Sequence, residues 1–141
     1  MINKLSQVSV EYLVLAGFLT FIIIGILGAG LYYSSTLTDR IKSSDASNYA
    51  NKIISTSESV FYAGEPSKAT ITAYLPENVK DIEIIEDNIV ITIGVSTGTT
   101  RTAFKSKVPI LENPSSLLSN SQGIKKIIIT TNSTNVIISQ G

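Results

Sequence analysis

The segment QVSVEYLVLAGFLTFIIIGILGAGLYY, residues 7–33, decides the fold of this chain. No charged residue occurs from Tyr12 to Thr38, and Leu, Ile, Phe, Gly and Ala dominate that run. As an α-helix the run would extend about 40 Å, which exceeds the ~30 Å thickness of a bilayer's hydrocarbon core. Glu11 is the one charge at the start of the run, and only Lys4 precedes it. The segment therefore predicts a membrane-inserted helix.

The composition of the whole chain limits what the remainder can be. Its 141 residues allow one modest domain beside a membrane helix. The formal net charge is zero, which gives no electrostatic reason to expect a nucleic-acid partner. Cysteine is absent, which excludes disulfides, and histidine is absent, which removes the commonest general base and metal ligand. We therefore expect a protein that is not an enzyme and that carries no cofactor and no metal.

The residues around the apolar run differ from a cleaved secretory signal peptide. The run is about twice the ~7–15 residues of a usual signal-peptide core, and no small-x-small cleavage site follows it. An uncleaved signal anchor is therefore one interpretation. The orientation stays open because the four charges that follow the run, at residues 39–45, nearly cancel.

Residues 7–12, QVSVEY, carry a more specific pattern. They resemble the Q-x-S-x-E-Y processing motif of archaeal class III signal peptides, which belong to type IV pilin precursors. The matching residues are Gln7, Ser9, Glu11 and Tyr12. The resemblance implies that a prepilin peptidase cuts between Ser6 and Gln7, on the cytoplasmic side and before the apolar helix. Ser6 is small, although glycine is the more usual residue before this cut.

The same resemblance implies a role and a set of partners. It covers residues 1–35 closely and the remainder only in architecture. A pilin of this kind is a structural subunit whose helix packs in the core of an extracellular surface filament, with its β domain exposed for adhesion or surface contact. Its partners would be other copies of itself, the prepilin peptidase, the pilus assembly ATPase with its membrane platform, and membrane lipid before assembly.

Small residues lie among the bulky ones in the apolar helix. They are Ala16, Gly17, Gly25, Gly28, Ala29 and Gly30. Small residues let membrane helices approach closely, although glycine is also simply commoner in such helices. The family resemblance assigns Glu11 the role of fixing subunit register by pairing with the new α-amine of Gln7 on a neighbouring helix. A pair within one helix fits the four-residue spacing equally well, and an interfacial, solvated Glu11 is expected in the precursor.

After Tyr33 the pattern stays helical and becomes amphipathic. The apolar stripe consists of Leu37, Ile41, Tyr49, Ile53 and Val60, with Ala46, Ala50, Ile54 and Phe61 beside it. We expect the rest of the chain to cover this stripe. Gly64 suits a left-handed helix cap and Pro66 cannot continue a helix, so the helix should end there.

From Lys68 onward a period of two predicts strands. The predicted strands are residues 68–75, 79–85, 89–95, 99–108, 125–131 and 135–139, with a tight turn at residues 86–88. Residues 109–123 are predicted to form a connector with one helical turn, capped by Asn113. The side chains of the closing hairpin that are available for burial are Ile127, Ile129, Val136 and Ile138.

The chain is therefore predicted to be α+β, with a long N-terminal helix followed by a small antiparallel sheet or sandwich. The predicted divisions are a leader (1–6), a helix (7–62) with an apolar half (12–38) and an amphipathic half (39–62), and a β domain (67–141). Two other function classes stay open. One is a minor pilin or a membrane-anchored surface adhesin, and the other is a membrane-tethered binding module or hydrolase.

Candidate sites in the β domain are few. Asn132-Ser133-Thr134 is the only N-x-Ser/Thr acceptor in the chain and predicts N-glycosylation in a loop, with a plain turn as the alternative. The acidic residues at 77–87 lack the spacing of a calcium loop. Three basic side chains are interpreted as a solvated outward face that discourages edge pairing, with a ligand patch as the alternative. They are Arg101, Lys105 and Lys107.

Overall fold

The computed structural model describes the backbone of residues 4–141 and the side chains of residues 10–141. This part of the chain contains one helix, α1 (Lys4–Ala63), followed by seven strands. The strands are β1 (Lys68–Leu75), β2 (Val79–Ile85), β3 (Asn88–Val95), β4 (Gly98–Lys105), β5 (Ile110–Glu112), β6 (Gly123–Thr131) and β7 (Val136–Gln140). The predicted α+β class is confirmed. The chain divides into two compact units, one ending at Thr38 and the other formed by residues 39–141.

Helix α1 ends where the sequence predicts. Gly64 has a φ of 78°, in the left-handed region that only glycine adopts freely. Its N–H donates to the Phe61 carbonyl at 3.1 Å, which satisfies one of the free carbonyls of the last turn. The chain then passes through Pro66 into β1.

The strands form two sheets. One has four strands in the order β1-β6-β7-β5, and the other is the meander β2-β3-β4. The predicted turn between β2 and β3 is confirmed, because Glu86 and Asp87 both have positive φ (47° and 64°) and link the paired residues Ile85 and Asn88. Such two-residue turns match the twist of the flanking strands.

The predicted strand at residues 99–108 is too long. Strand β4 ends at Lys105, and Ser106 turns the chain because its hydroxyl donates to the Val108 carbonyl (2.8 Å) and accepts the Val108 N–H (3.2 Å). Val108 is buried but lies beyond the strand.

The predicted connector at residues 109–123 contains a strand that periodicity did not reveal. Strand β5 pairs with β7 in parallel, with Ile110 beside Val136, so the sheets are not wholly antiparallel. Three residues are too few to show a period, and the partner is distant in sequence. The expected helical turn after Asn113 is not formed. The chain makes a non-helical turn there, in which the Asn113 side-chain oxygen accepts the Ser115 N–H at 3.0 Å.

The core of the unit formed by residues 39–141 lies between the second half of α1 and both sheets. The helix contributes Ala46, Tyr49, Ala50, Ile53, Ile54 and Val60. The closing hairpin contributes Ile127, Ile129, Val136 and Ile138, all fully buried as predicted. Two members of the predicted stripe are not covered, since Leu37 is 57% exposed and Ile41 is 62% exposed. At Ile41 the reason is that its neighbours Asp39 and Lys42, not Ile41, make the contacts with the β domain.

Candidate functional site

The largest exposed apolar surface belongs to residues 10–33 of α1, hereafter the apolar segment. Its large side chains are exposed by between 40% (Ile22) and 76% (Phe21) of their area. In water each square ångström of such surface costs about 25 cal/mol relative to burial. Within the described residues, α1 is the one helix that is long and apolar enough to cross a membrane, and the most apolar stretch of it is unburied.

One hydroxyl inside the apolar segment is satisfied by its own helix. The Thr20 hydroxyl donates to the Ala16 carbonyl, four residues earlier, at 2.8 Å. A hydroxyl bonded to its own helix can enter lipid or a helix bundle without an unmet hydrogen bond. Tyr32 and Tyr33 close the segment, with ring centroids 5.9 Å apart. Tyrosine suits a membrane–water boundary because one end of the ring is apolar and the other is polar.

The glycines of the apolar segment have no packing partner among the described residues. A Cβ placed on Gly17, Gly25, Gly28 or Gly30 would meet no atom within 4 Å other than the helix's own backbone and the adjoining residues. Glycine inside a helix costs about 0.5–1 kcal/mol relative to alanine. Nothing in the described residues offsets that cost, so the chain alone does not explain these four glycines.

The predicted processing residues lie at the start of α1. Glu11 and Tyr12 are exposed on consecutive helix positions, and the Glu11 carboxylate receives no hydrogen bond from residues 10–141. The side chains of Ser6, Gln7 and Ser9 lie outside the described residues. The pairing predicted between Gln7 and Glu11 is therefore not addressed by this structure.

Asn132 lies in the loop between β6 and β7, as predicted, and is exposed. Its side-chain oxygen accepts the N–H groups of Thr134 (3.1 Å) and Asn135 (2.9 Å), which closes a tight turn. The Ser133 hydroxyl donates to Glu65 at 3.2 Å, which ties the loop to the end of α1. The side-chain nitrogen of Asn132, the atom that a glycan would modify, donates no hydrogen bond to the described residues.

Sequence reasoning missed the polar contacts that hold the second half of α1 to the β domain, hereafter the polar collar. They are Asp39 to the Ser96 N–H (3.0 Å), Lys42 to Glu77 (2.9 Å), Lys52 to the Thr72 carbonyl (2.7 Å) and Glu58 to the Lys107 N–H (3.4 Å). Asp39 lies beyond the apolar segment, and the Ser96 bonds lower the pKa of its carboxyl. The three-residue spacing of Asp39 and Lys42 places them on the same face of a helix, which is the one signal that the sequence offers. Their partners could not be identified from it because they depend on the sheet register.

Three charged residues of the β domain illustrate structural roles. Arg101 forms an ion pair with Glu83 at 2.8 Å, and all three residues of the predicted solvated face are exposed. The Asp81 carboxylate accepts the Ile82 N–H (3.0 Å), and the Asp87 carboxylate accepts the Ile110 N–H (3.1 Å). Within the described residues no three acidic side chains gather in a way that could hold a metal ion.

A groove of about 410 Å³ lies between α1 and β1 and is lined by Asp45, Asn48, Lys52 and Tyr74 among others. Lys52 is engaged by the Thr72 carbonyl, and the Tyr74 hydroxyl accepts the Gln122 amide at 3.3 Å. The chemistry that the described residues support best is therefore association through apolar helix surface.

Comparison of the chain with protein families, with curated proteins and with solved structures finds no match.

Proposed function

We propose that this chain is a structural pilin subunit of an archaeal type IV-like surface filament. The observation that carries the proposal is the apolar segment, which is exposed along its length and whose start overlaps the QVSVEY motif. In the precursor this segment lies in lipid. After cleavage before Gln7 it packs against the same segment of other copies.

The four glycines support packing between helices. Without a hydrophobic driving force in lipid, helices associate through close van der Waals contact, which small residues allow. The apolar segment has such residues where its own chain makes no use of them. A neighbouring helix is the partner that would use the space they leave.

The β domain is the exposed part of the proposed filament. Its core is completed within residues 39–141, so it needs no other subunit to bury its apolar strands. Asn132 and the Thr-rich strands face the surroundings and supply a polar outer surface. Surface contact or adhesion is the role that this placement supports.

A minor pilin or a membrane-anchored adhesin is the second candidate. The length of the apolar segment favours it, because one such helix suffices to anchor a domain without any filament. Copy number separates this candidate from a main structural subunit.

Purified surface filaments test the proposal. We expect intact-mass measurement to find this chain as a dominant component that begins at Gln7. Cells lacking the prepilin peptidase are the control, and there the chain should stay in the membrane and begin at Met1. A chain that begins at Met1 in normal cells and is missing from filaments would overturn the proposal, and a trace component would favour the second candidate.

A further inference from the structure

The two sheets together have four edge strands, namely β1 and β5 in one sheet and β2 and β4 in the other. An antiparallel edge strand turns the N–H and C=O groups of alternate residues outward, where they can pair with another chain. Natural proteins commonly block these groups. The four edges can therefore be compared by what covers their outward groups.

Side chains bond to the outward groups of three edges. On β1 the Lys52 ammonium donates to the Thr72 carbonyl at 2.7 Å. On β2 the Asp81 carboxylate takes the Ile82 N–H, and the Asn120 amide donates to the Lys80 carbonyl at 2.7 Å. On β5 the Asp87 carboxylate takes the Ile110 N–H at 3.1 Å. On each of these edges a side chain already bonds to a backbone N–H or C=O group that an added strand would need.

Strand β4 is different. The Ser106 N–H donates to the Asp87 carbonyl at 2.9 Å, which continues the ladder in which Phe104, Thr102 and Thr100 face β3. The alternate residues, Thr99, Arg101, Ala103 and Lys105, therefore turn their backbone groups outward. Within the described part of the chain no side chain bonds to any of these groups, and all four residues are exposed. The open edge is defined here as these four residues.

The surface beside the open edge is shaped and charged. A depression of about 460 Å³ lies on the outward face of the meander, above Val90 and Ala103 and between Ile85 and Arg101. Ala103 is small, so a strand added at the edge has room for a bulky apolar side chain opposite it. Along β4, Arg101 and Lys105 lie two residues from Ala103 on either side, and Arg101 and Glu86 line the depression.

We propose that the open edge of β4 binds an extended peptide segment of another protein, which adds to the meander as a fourth, antiparallel strand. The segment has an apolar residue opposite Ala103 and acidic residues opposite Arg101 and Lys105. Main-chain hydrogen bonds provide affinity, and the alternate side chains provide selectivity. This partner differs from the helix contacts of the proposed filament and does not rest on them.

The charges on the open edge favour an acidic peptide over a second copy of β4. Two β4 strands would bring their basic residues near one another, and like charges across a strand pair are destabilising. Arg101 already forms an ion pair with Glu83, but its side chain remains largely exposed and can bind a second carboxylate. The basic residues thus disfavour self-pairing and favour an acidic strand, so they select the partner.

Fluorescence anisotropy with the full chain in detergent micelles and a labelled peptide TEVIVET tests the proposal. We expect saturable binding, with at least tenfold weaker binding for the peptide TKVIVKT. N-methylation of the central isoleucine should abolish binding because its N–H would face β4, whereas N-methylation of the next valine should leave binding within about twofold. Any other dependence on N-methylation overturns the proposal.

Variants of the chain provide the second arm. Ala103→Pro removes one outward N–H and should abolish binding, whereas Thr70→Pro, at an outward position of β1, should not. Lys105→Glu changes only an exposed charge and keeps the test valid if Ala103→Pro fails to fold. It should weaken binding of TEVIVET and strengthen binding of TKVIVKT. Absence of TEVIVET binding, or self-association of the chain that Ala103→Pro removes, would refute the proposal.

Discussion

At the scale of single residues, Glu11 is the charge that the apolar segment must accommodate. A carboxylate near the bilayer centre costs about 2.5–3.5 kcal/mol on insertion scales and less near the interface. In a filament core a low dielectric strengthens its attraction to an α-amine and makes an unpaired charge costly. Register between subunits is therefore a role that a single carboxylate can perform.

Glu11→Gln tests this role. We expect the variant to be cleaved and inserted into the membrane like the parent but to yield far fewer filaments, because the amide cannot form the ion pair. Filament yield and intact mass are measured together. Glu86→Gln, a matched change at an exposed turn of the β domain, should assemble normally. Normal yield from Glu11→Gln, with processing intact, would leave Glu11 as an interfacial charge only.

Asn132 is the second residue with a testable role. Its side-chain nitrogen is free of bonds to the described residues and its loop is exposed, so we expect a glycan on Asn132 in native material. Glycopeptide mapping should find the mass of a sugar at this position. Asn132→Gln should remove that mass, and Asn51→Gln, an exposed helix residue outside any acceptor motif, should not. An unmodified Asn132 in native filaments would contradict the expectation.

Tyr49 has a buried hydroxyl with no partner among the described residues. It lies in the core of the unit formed by residues 39–141. Burial, with a smaller effect of the Glu112 charge, raises the pKa of Tyr49 to about 12. The stability that the neutral phenol contributes is complete below its unfolded pKa of ~10 and declines as the pH rises toward the folded value.

Tyr49→Phe should therefore remove part of the alkaline loss of stability. We expect an unfolding free energy equal to or slightly above that of the parent at pH 7, since no hydrogen bond is lost. Between pH 9 and pH 11 the parent should lose more stability than the variant. Urea unfolding at each pH measures the difference, and parallel pH curves for the two proteins would show that burial does not raise the pKa of Tyr49 above its unfolded value.

At the scale of the elements, two isoleucines of α1 that differ in burial can be compared directly. Ile53 is fully buried against the sheets, whereas Ile41 is 62% exposed. Ile53→Ala should cost about 2–5 kcal/mol of unfolding free energy because it removes apolar contact and leaves a cavity. Ile41→Ala should stay within about 0.5 kcal/mol of the parent in detergent. Equal losses would mean that the helix buries a different face.

Local patterns predicted most of the elements. The bounds of β1 and β2 were predicted to the residue because turn residues flank both strands, and in β1 the more buried positions also alternate cleanly with exposed ones. Strand β5 was missed because three residues carry no period and its partner β7 lies over twenty positions later. The end of β4 was misplaced because Ser106 looks like an ordinary strand residue until its hydroxyl is seen to bond Val108.

In the candidate site, too, features set by local sequence were predictable and features set by strand pairing were not. The apolar segment was recognisable from its composition alone, and its large side chains are exposed. The polar collar and the open edge could not be predicted, because both depend on which backbone groups face outward. Knowing the register of β3 against β4 was enough to identify the open edge.

At the scale of the whole molecule, substituting a glycine of the apolar segment can distinguish an effect on folding from an effect on filament assembly. Gly28→Leu adds a side chain where, apart from the adjoining residues and the helix's own backbone, no described atom lies within 4 Å of the Cβ, so the monomer in detergent should keep its fold and stability. If neighbouring helices use that space, filament yield should fall sharply. Ile26→Leu, a change of shape within the same segment, is the control and should assemble. Normal filaments from Gly28→Leu would show that this glycine does not lie at a helix contact.

The insertion of the meander between β1 and β6 also sets the order in which the β domain can form. Partners within the meander are at most 17 residues apart along the chain, as for Asn88 and Lys105. Partners in β1 and β6 are separated by 48 residues at Leu75 and Gly123 and by 62 at Lys68 and Thr130. Closing a short loop loses less chain entropy, so the meander can form first. Once formed, it shortens the effective loop between β1 and β6, and the slow step of folding becomes the closure of the four-stranded sheet around it.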